Sequence, residues 1–278
     1  MPLETAAPQA PCPVAERALA AIDMAEAGLR QLEAEEGIDA ASSARPERRT
    51  ALKVSIVMPV YNERNTIREI VQRVREANFH HELIIVDDAS TDGTRDVLLE
   101  LAREPDICVL LHGYNKGKGG ALQTAFTQVQ GNVVLIQDAD LEYDPSDYAR
   151  LLAPIESGEA DVVYGSRFLE NPRQDPSWWH RLGNRLLTWL SNRTTGLGLT
   201  DMETCYKVFR AGALRGMILQ ENRFGFEPEF TAKLARRGCR FAEVGVSYNG
   251  RSYAEGKKIN YRDGLRAIYC IFRYAWLD

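Results

Sequence analysis

Between residues 53 and 165 the chain alternates short apolar runs with segments of helical period, and a polar cluster follows several of the runs. This order constrains the fold more than any other feature of the sequence. KVSIVMP (53–59), ELIIVDD (82–88), DICVLLH (106–112), NVVLIQD (132–138) and ADVVYG (160–165) are largely apolar, as expected of strands covered on both faces. Ile67, Ile70, Val71 and Val74 recur at helical spacing within 66–77. A second helix is expected after Ser90, Thr91 or Asp92, each a suitable cap. A third is expected over 119–129, and a fourth from Pro145, a favoured first helical position. The alternation predicts an α/β fold: an open, mainly parallel, Rossmann-like sheet with helices on both faces. Ligands of such sheets bind beyond the carboxyl ends of the strands. Tyr61-Asn62-Glu63, Asp87-Asp88 and Asp138-Ala139-Asp140 all fall there.

Beyond Gly165 the order is less regular. Residues 165–177 read as a polar loop and 178–193 as an amphipathic helix with Leu182, Leu186, Trp189 and Leu190 on one face. Residues 200–210 mix acids, Cys205 and aromatics. A helix is expected over 226–237, a strand over 240–248 and an aromatic-rich helix over 261–276. Residues 1–50 are expected to form an N-terminal extension, with one helix over 14–36 and a flexible linker over 38–50. Residues 51–278 form the main domain.

A formal charge of −5 over 278 residues argues against a generally basic nucleic-acid binder. The five cysteines are scattered, without zinc-ligand spacing, and fit a reducing cytosol. No apolar run reaches the roughly 18–20 residues of a membrane span, and no basic-then-apolar leader is present. Work at a membrane would then take place on its surface, with a membrane protein as a possible partner.

Asp138 and Asp140, two residues apart at a strand end, are suited to a hard divalent cation that also holds a diphosphate. Acids at Asp87-Asp88 suit a base N–H or ribose hydroxyls. Asn115-Lys116-Gly117-Lys118-Gly119-Gly120 opens a helix, where backbone N–H groups and Lys118 suit phosphate; the spacing is neither a Walker loop nor GxGxxG. Residues 251–273 carry six basic and two acidic side chains with interleaved aromatics, a composition suited to an anionic membrane surface. Gln220 to Phe224 (QENRF) nearly matches QxxRW and is read as chance.

In these residues the chain resembles the family 2 glycosyltransferases of GT-A fold. The matches are PVYNE (59–63), ELIIVDDASTDGT (82–94), NKGKGGAL (115–122), QDADLEYDP (137–145) and VVYGSRFL (162–169). TDMETCYKVFR (200–210), FGFEPEF (224–230) and EVGVSYNGRSYAEGKKI (243–259) are similar to the polyprenyl- and dolichyl-phosphate sugar synthases. The resemblance implies that Pro59, Tyr61 and Glu63 line the nucleotide pocket and that Asp88 contacts the base. Asp138 and Ala139 would lie by the ribose and diphosphate, Asp140 would be the main metal ligand, and Arg167 would meet the diphosphate or the acceptor phosphate. Arg251 and Lys257 would close over the phosphates from a loop. Glu142, Gly256 and Thr204-Cys205-Tyr206 depart from the mannosyl pattern and leave the donor, a UDP- or GDP-hexose, open.

The implied activity is inverting transfer of a hexose from a nucleotide sugar to a polyprenyl phosphate, with Mg2+ or Mn2+, at the cytoplasmic membrane face. A phosphate acceptor is already anionic at neutral pH. An alcohol acceptor, the case of a soluble enzyme acting on a hydroxyl, needs a carboxylate base, and Asp201 and Glu203 are the candidates. A non-catalytic nucleotide-sugar-binding subunit is the third reading.

Overall fold

A computed structural model describes residues 52–169, 178–250 and 261–276. The helix and linker expected in the first fifty residues, and Arg251 and Lys257, lie outside the described residues.

The first apolar run forms β1 (Val54–Val60), followed by α1 (Ile67–Ala77), β2 (His80–Asp87), α2 (Thr94–Leu101), β3 (Ile107–Leu111), α3 (Lys118–Phe126) and β4 (Val133–Ile136). A short 3-10 turn at Pro145–Asp147 leads into α4 (Tyr148–Ser157) and β5 (Val162–Ser166). Then come α5 (Trp178–Thr195), β6 (Lys207–Arg210), α6 (Phe226–Arg236), β7 (Phe241–Gly245) and α7 (Tyr261–Trp276). The helical stripe read from the sequence is the buried face of α1, where Ile67, Ile70, Val71 and Val74 pack inward. Asn78, in left-handed conformation, ends α1, a role open to Asn because its short polar side chain tolerates that region.

The strands form one seven-stranded sheet in the order β3-β2-β1-β4-β6-β5-β7. β1 pairs in parallel with β2 on one side and β4 on the other. Its residues are nearly all buried, which explains the unbroken apolar run. β6 is the exception to the parallel arrangement and runs antiparallel to both β4 and β5. This strand was not expected from the sequence. It is four residues long, and its fully buried Lys207 breaks the apolar pattern that marks the other strands.

The buried apolar side chains of the strands and of the helices packed on them form one large cluster, with a small second one of Ala232, Cys270 and Tyr274. Phe126, Phe209, Phe226 and Phe230 join α3, β6 and α6, with Phe209 and Phe230 centroids 4.9 Å apart in an edge contact. The chain leaves β1 toward β2 and β3, then returns across to β4. Strand order therefore reverses between β1 and β4, and sheets of this kind bind their ligands beyond the carboxyl ends of the strands at such a switch point.

Candidate active site

The loops after β1 and β2 are tied into one platform. Asn62 N–H donates to Ser90 Oγ (2.9 Å), Glu63 N–H to Thr94 Oγ1 (2.9 Å), Arg64 N–H to Asp92 Oδ2 (3.2 Å) and Thr91 N–H to Asn62 Oδ1 (2.8 Å). Pro59, Tyr61 and Glu63 are half-buried on this platform. The cap of α2 is Gly93; Asp92 accepts the Thr94 N–H at 3.0 Å from outside the helix. Burial acts to raise the Asp92 pKa, but its hydrogen bonds from Thr94 and Arg64 prevail and the net shift is downward.

Asp88 is buried under the next loop. Its Oδ1 accepts the Lys116 N–H (2.8 Å) and is 2.8 Å from His112 Nδ1, and its Oδ2 accepts the Gly117 N–H (2.7 Å). The structure thus places Asp88 as the organiser of residues 115–117. The Gly120 N–H goes to the Asn222 carbonyl at 3.0 Å and the Ala121 N–H to the Gly117 carbonyl. Several helix-start amides that the sequence offers to phosphate are therefore taken up within the protein.

The acidic loop after β4 rests on a buried amide. Gln137 Oε1 accepts from Tyr148 (2.6 Å) and Tyr206 (2.8 Å), and its Nε2 donates to the Asp138 carbonyl (2.9 Å). Gln137, marked in the sequence only by its place in QDADLEYDP, has a fully buried side chain that fixes where Asp138 begins the loop. Ala139 is buried, while Asp138 and Asp140 are half-buried. Leu141 holds a φ of +63°, and the Glu142 N–H donates to Asp140 Oδ1 at 3.1 Å. Lys118 Nζ lies 3.0 Å from Asp138 Oδ2 and 3.5 Å from Glu227 Oε1. Burial acts to lower the Lys118 pKa, but Asp138 and then other acidic neighbours, Glu227 among them, raise it well above the usual value, so the ammonium stays charged.

Across the site Arg167 and Asp201 form a bidentate pair. Arg167 Nε and Nη2 lie 2.7 and 2.8 Å from the two Asp201 oxygens, and the Arg167 N–H donates to the same carboxylate. Asn184 Nδ2 adds a bond at 3.0 Å. Burial acts to raise the Asp201 pKa, but Arg167 overrides it and the net shift is downward. The guanidinium also sits 5.2 Å from the Tyr248 ring centroid. Tyr248 OH in turn donates to Glu142 Oε2 at 2.9 Å, which links the arginine to the acidic loop. Glu203 behaves differently from Asp201. Burial, then the charge of Glu227, push its pKa up to about 8, and its Oε1 has no hydrogen-bond partner among the described residues.

The expected residues of the β1, β2 and β4 loops thus gather at the switch point, with Lys118 beside Asp138 and the Arg167–Asp201 pair joined through Tyr248 and Glu142. Gln137, Tyr248, Asn184 and Glu227 belong to this assembly and were not singled out. The FGFEPEF match was the one signal that touched Glu227.

A mostly parallel sheet with acidic loops at its switch point is the GT-A architecture, and the comparisons agree. Glucosyl-3-phosphoglycerate synthase of Mycobacterium tuberculosis, solved with Mn2+, uridine diphosphate and phosphoglyceric acid, superposes with a TM-score of 0.63 at 18% identity, over 82% of this chain and 80% of that one. Mannosyl-3-phosphoglycerate synthase of Rubrobacter xylanophilus gives a TM-score of 0.63 at 22% identity, over 80% and 72%. Residues 55–217 match the family Glycosyl transferase family 2. The chain belongs to that family. It is 32% identical over 210 residues to the undecaprenyl-phosphate 4-deoxy-4-formamido-L-arabinose transferase of Edwardsiella ictaluri, covering 73% of this chain. The enzyme of that name from Serratia proteamaculans is 32% identical over 211 residues, covering 74%. The match spans 62% of the length of each relative.

Proposed function

We propose that the protein is an inverting glycosyltransferase that moves a hexose from a nucleotide sugar to a polyprenyl phosphate. The observation that carries this reading is the state of the two candidate bases. Asp201 is locked by Arg167 and Asn184, so its lone pairs are engaged. Glu203, with a pKa near 8, holds its proton at neutral pH. Neither is suited to take a proton from an alcohol. An acceptor that arrives already ionised needs no such base. Relatives named for undecaprenyl phosphate support the same acceptor class.

The donor would lie in the crevice over β1, β2 and β4. Its base would rest on the platform of Pro59, Tyr61 and Glu63, with Asp88 shaping the loop beside it. Asp138 and Asp140 fit a hard divalent cation. Their donors are carboxylate oxygens, and no cluster of three or more acidic, histidine or cysteine ligands exists among the described residues. Two carboxylates with diphosphate oxygens completing the shell is the usual arrangement for Mg2+ and serves Mn2+ as well. Such a cation would stabilise the charge that develops on the leaving diphosphate. Arg167, held rigid by Asp201 and Tyr248, would attract the anionic acceptor and orient it. Arg251 and Lys257 would add charge at the phosphates.

The membrane face is supported by α5 and α7. Leu186 and Trp189 on α5, and Leu265, Phe272 and Trp276 on α7, are all exposed, although apolar side chains normally pack away from water. Arg266 and Arg273 lie on α7 among them. A groove of about 700 Å³ lined by Phe168, Leu182, Arg185, Trp189 and Thr200 runs from α5 to the neighbour of Asp201. No described helix is long and apolar enough to cross a membrane. The exposed apolar and basic side chains of α5 and α7 support attachment at an anionic, cytoplasmic membrane face, with a membrane-protein partner as an additional anchor. The direct test incubates the protein with labelled UDP- and GDP-hexoses, Mn2+ or Mg2+ and a polyprenyl phosphate. Label in the organic phase is expected with one donor. Transfer only to water-soluble hydroxyl acceptors would reject the lipid reading.

A further inference from the structure

Lys118 is shared between two carboxylates of unlike surroundings. Asp138, 3.0 Å away, has a side chain 21% exposed; Glu227, 3.5 Å away, is sealed from solvent at 4%. The second Glu227 oxygen is buried with no hydrogen-bond partner among the described residues. A buried carboxylate is costly to leave partly unpaired, so the placement of Glu227 at the first turn of α6 calls for an explanation. Its neighbour Glu229 has one: it accepts the Gln220 and Glu221 N–H groups and pairs with Lys233. Glu227 pairs with Lys118 and also lies within electrostatic reach of Lys207.

We propose that Glu227 is a positioning residue that retains the Lys118 ammonium at the donor site when a divalent cation takes over Asp138. This rests on the metal-and-diphosphate reading above. Lys118 holds Asp138 Oδ2, so a divalent cation on the same carboxylate meets the repulsion of a neighbouring ammonium, and each weakens the hold of the other. A lysine with Asp138 as its sole counter-ion would be driven out of the crevice by the arriving cation. With Glu227 behind it, the ammonium relaxes by a short swing and remains at the rim, within reach of the donor's diphosphate. Glu227 thus converts a competitor of the metal into a ligand for the substrate.

The proposal gives opposite signs for two substitutions, which a merely structural role would not. Mn2+ binding is measured by electron paramagnetic resonance on the nucleotide-free protein, with thermal melts to show that each variant is folded. Lys118→Met removes the competitor and is expected to tighten Mn2+ binding by about fivefold, the scale of a half-buried ion pair. Glu227→Gln leaves Lys118 with Asp138 alone and is expected to weaken Mn2+ binding by a similar factor. The double variant should match Lys118→Met, because the effect of Glu227 on the cation runs mainly through the lysine. Uridine or guanosine diphosphate affinity, measured with Mn2+ present, should fall in both single variants, appearing as a raised donor KM with a smaller change in kcat. Equal Mn2+ affinity in wild type and both single variants, or a double variant weaker than Lys118→Met, overturns the proposal while leaving the metal reading intact. Failure of the wild type to bind Mn2+ with or without nucleotide overturns both. Should Glu227→Gln fail to fold, the Lys118→Met result alone decides: unchanged or weaker Mn2+ binding rejects the competition on which the proposal depends.

Discussion

Three non-glycine residues in the site loops, Asn62, Ala89 and Leu141, adopt φ values of +54°, +62° and +63°. For a residue with a Cβ this region costs about 1–2 kcal/mol, and such strain concentrates where a surrounding structure holds a loop for a purpose. Asn62 and Ala89 sit two residues past the ends of β1 and β2, and Leu141 directly follows Asp140, five residues past β4, so each falls where the backbone turns beside an acid of the site. Ala89→Gly is expected to raise stability by up to about 1 kcal/mol, the relief of the left-handed Cβ less the added entropy of the unfolded chain; urea unfolding measures it. Asp140→Ala removes a proposed metal ligand and should abolish transfer, with the fold intact by circular dichroism. Full activity in that variant would sink the metal assignment. Asp201→Asn should cost far more than its small volume change implies. It leaves the Arg167 guanidinium with a neutral partner in a buried setting, where breaking a pair by removing one member typically costs about 3–5 kcal/mol. Denaturant melts of Asp201→Asn against Arg167→Met and the double variant would measure that coupling.

At the scale of single elements, the start of α3 depends on close backbone contact. A Cβ at Gly119 would come within 2.2 Å of the Glu221 carbonyl, and one at Gly117 within 2.4 Å of the Asn222 carbonyl. The 220–223 segment must lie directly on this loop, and it is clamped from the other side by Arg266 and Tyr274 of α7 on Glu221. The QENRF stretch, set aside as chance in the sequence, is this strap. Gly119→Ala is therefore expected to lower both stability and diphosphate affinity, checked by thermal melting and by calorimetric titration with the nucleoside diphosphate. The helices α5 and α7 present the other element-scale test. Replacing Trp189 and Phe272 by Ser removes exposed apolar area from each and should reduce co-sedimentation with vesicles containing anionic lipid several-fold. Unchanged sedimentation would separate these faces from the membrane.

For the molecule as a whole, two buried or part-buried acids give pH dependence of opposite sign. Asp161, hydrogen-bonded and paired to Arg240, is held down to about 2. Its stabilisation is present above the ordinary carboxyl range and is lost as pH falls toward 2. Glu203 is raised to about 8 by burial and by Glu227. Between the ordinary carboxyl range and pH 8 the folded protein keeps a proton that the unfolded chain has released, so stability falls as pH rises through that window. Melting temperatures from pH 5 to 8.5 should decline in the wild type and decline less in Glu203→Gln. Parallel curves would show that Glu203 does not carry the effect.

The amino-acid sequence alone determined the parallel part of the sheet, because strands buried on both faces must be apolar throughout and the intervening helices must show a 3.6-residue stripe. Val54–Val60, Val133–Ile136 and Val162–Ser166 follow from that rule, as does the buried end of His80–Asp87, while Ile107–Leu111, at the sheet edge, is apolar but only partly buried. It also located the acids of the crevice, since chain order places them at strand ends. The antiparallel β6 carried no such mark. Its pairing with β4 and β5 is decided by neighbours far away in the chain, and Lys207 is tolerated there because its ammonium meets the Thr204 carbonyl and the Tyr164 ring. Partnership among charges was likewise hidden from sequence. Asp201 and Glu203 are two residues apart and chemically alike. Only the tertiary structure sets one against Arg167 and the other against Glu227, because a carboxylate's acidity depends on what lies within a few ångströms in space.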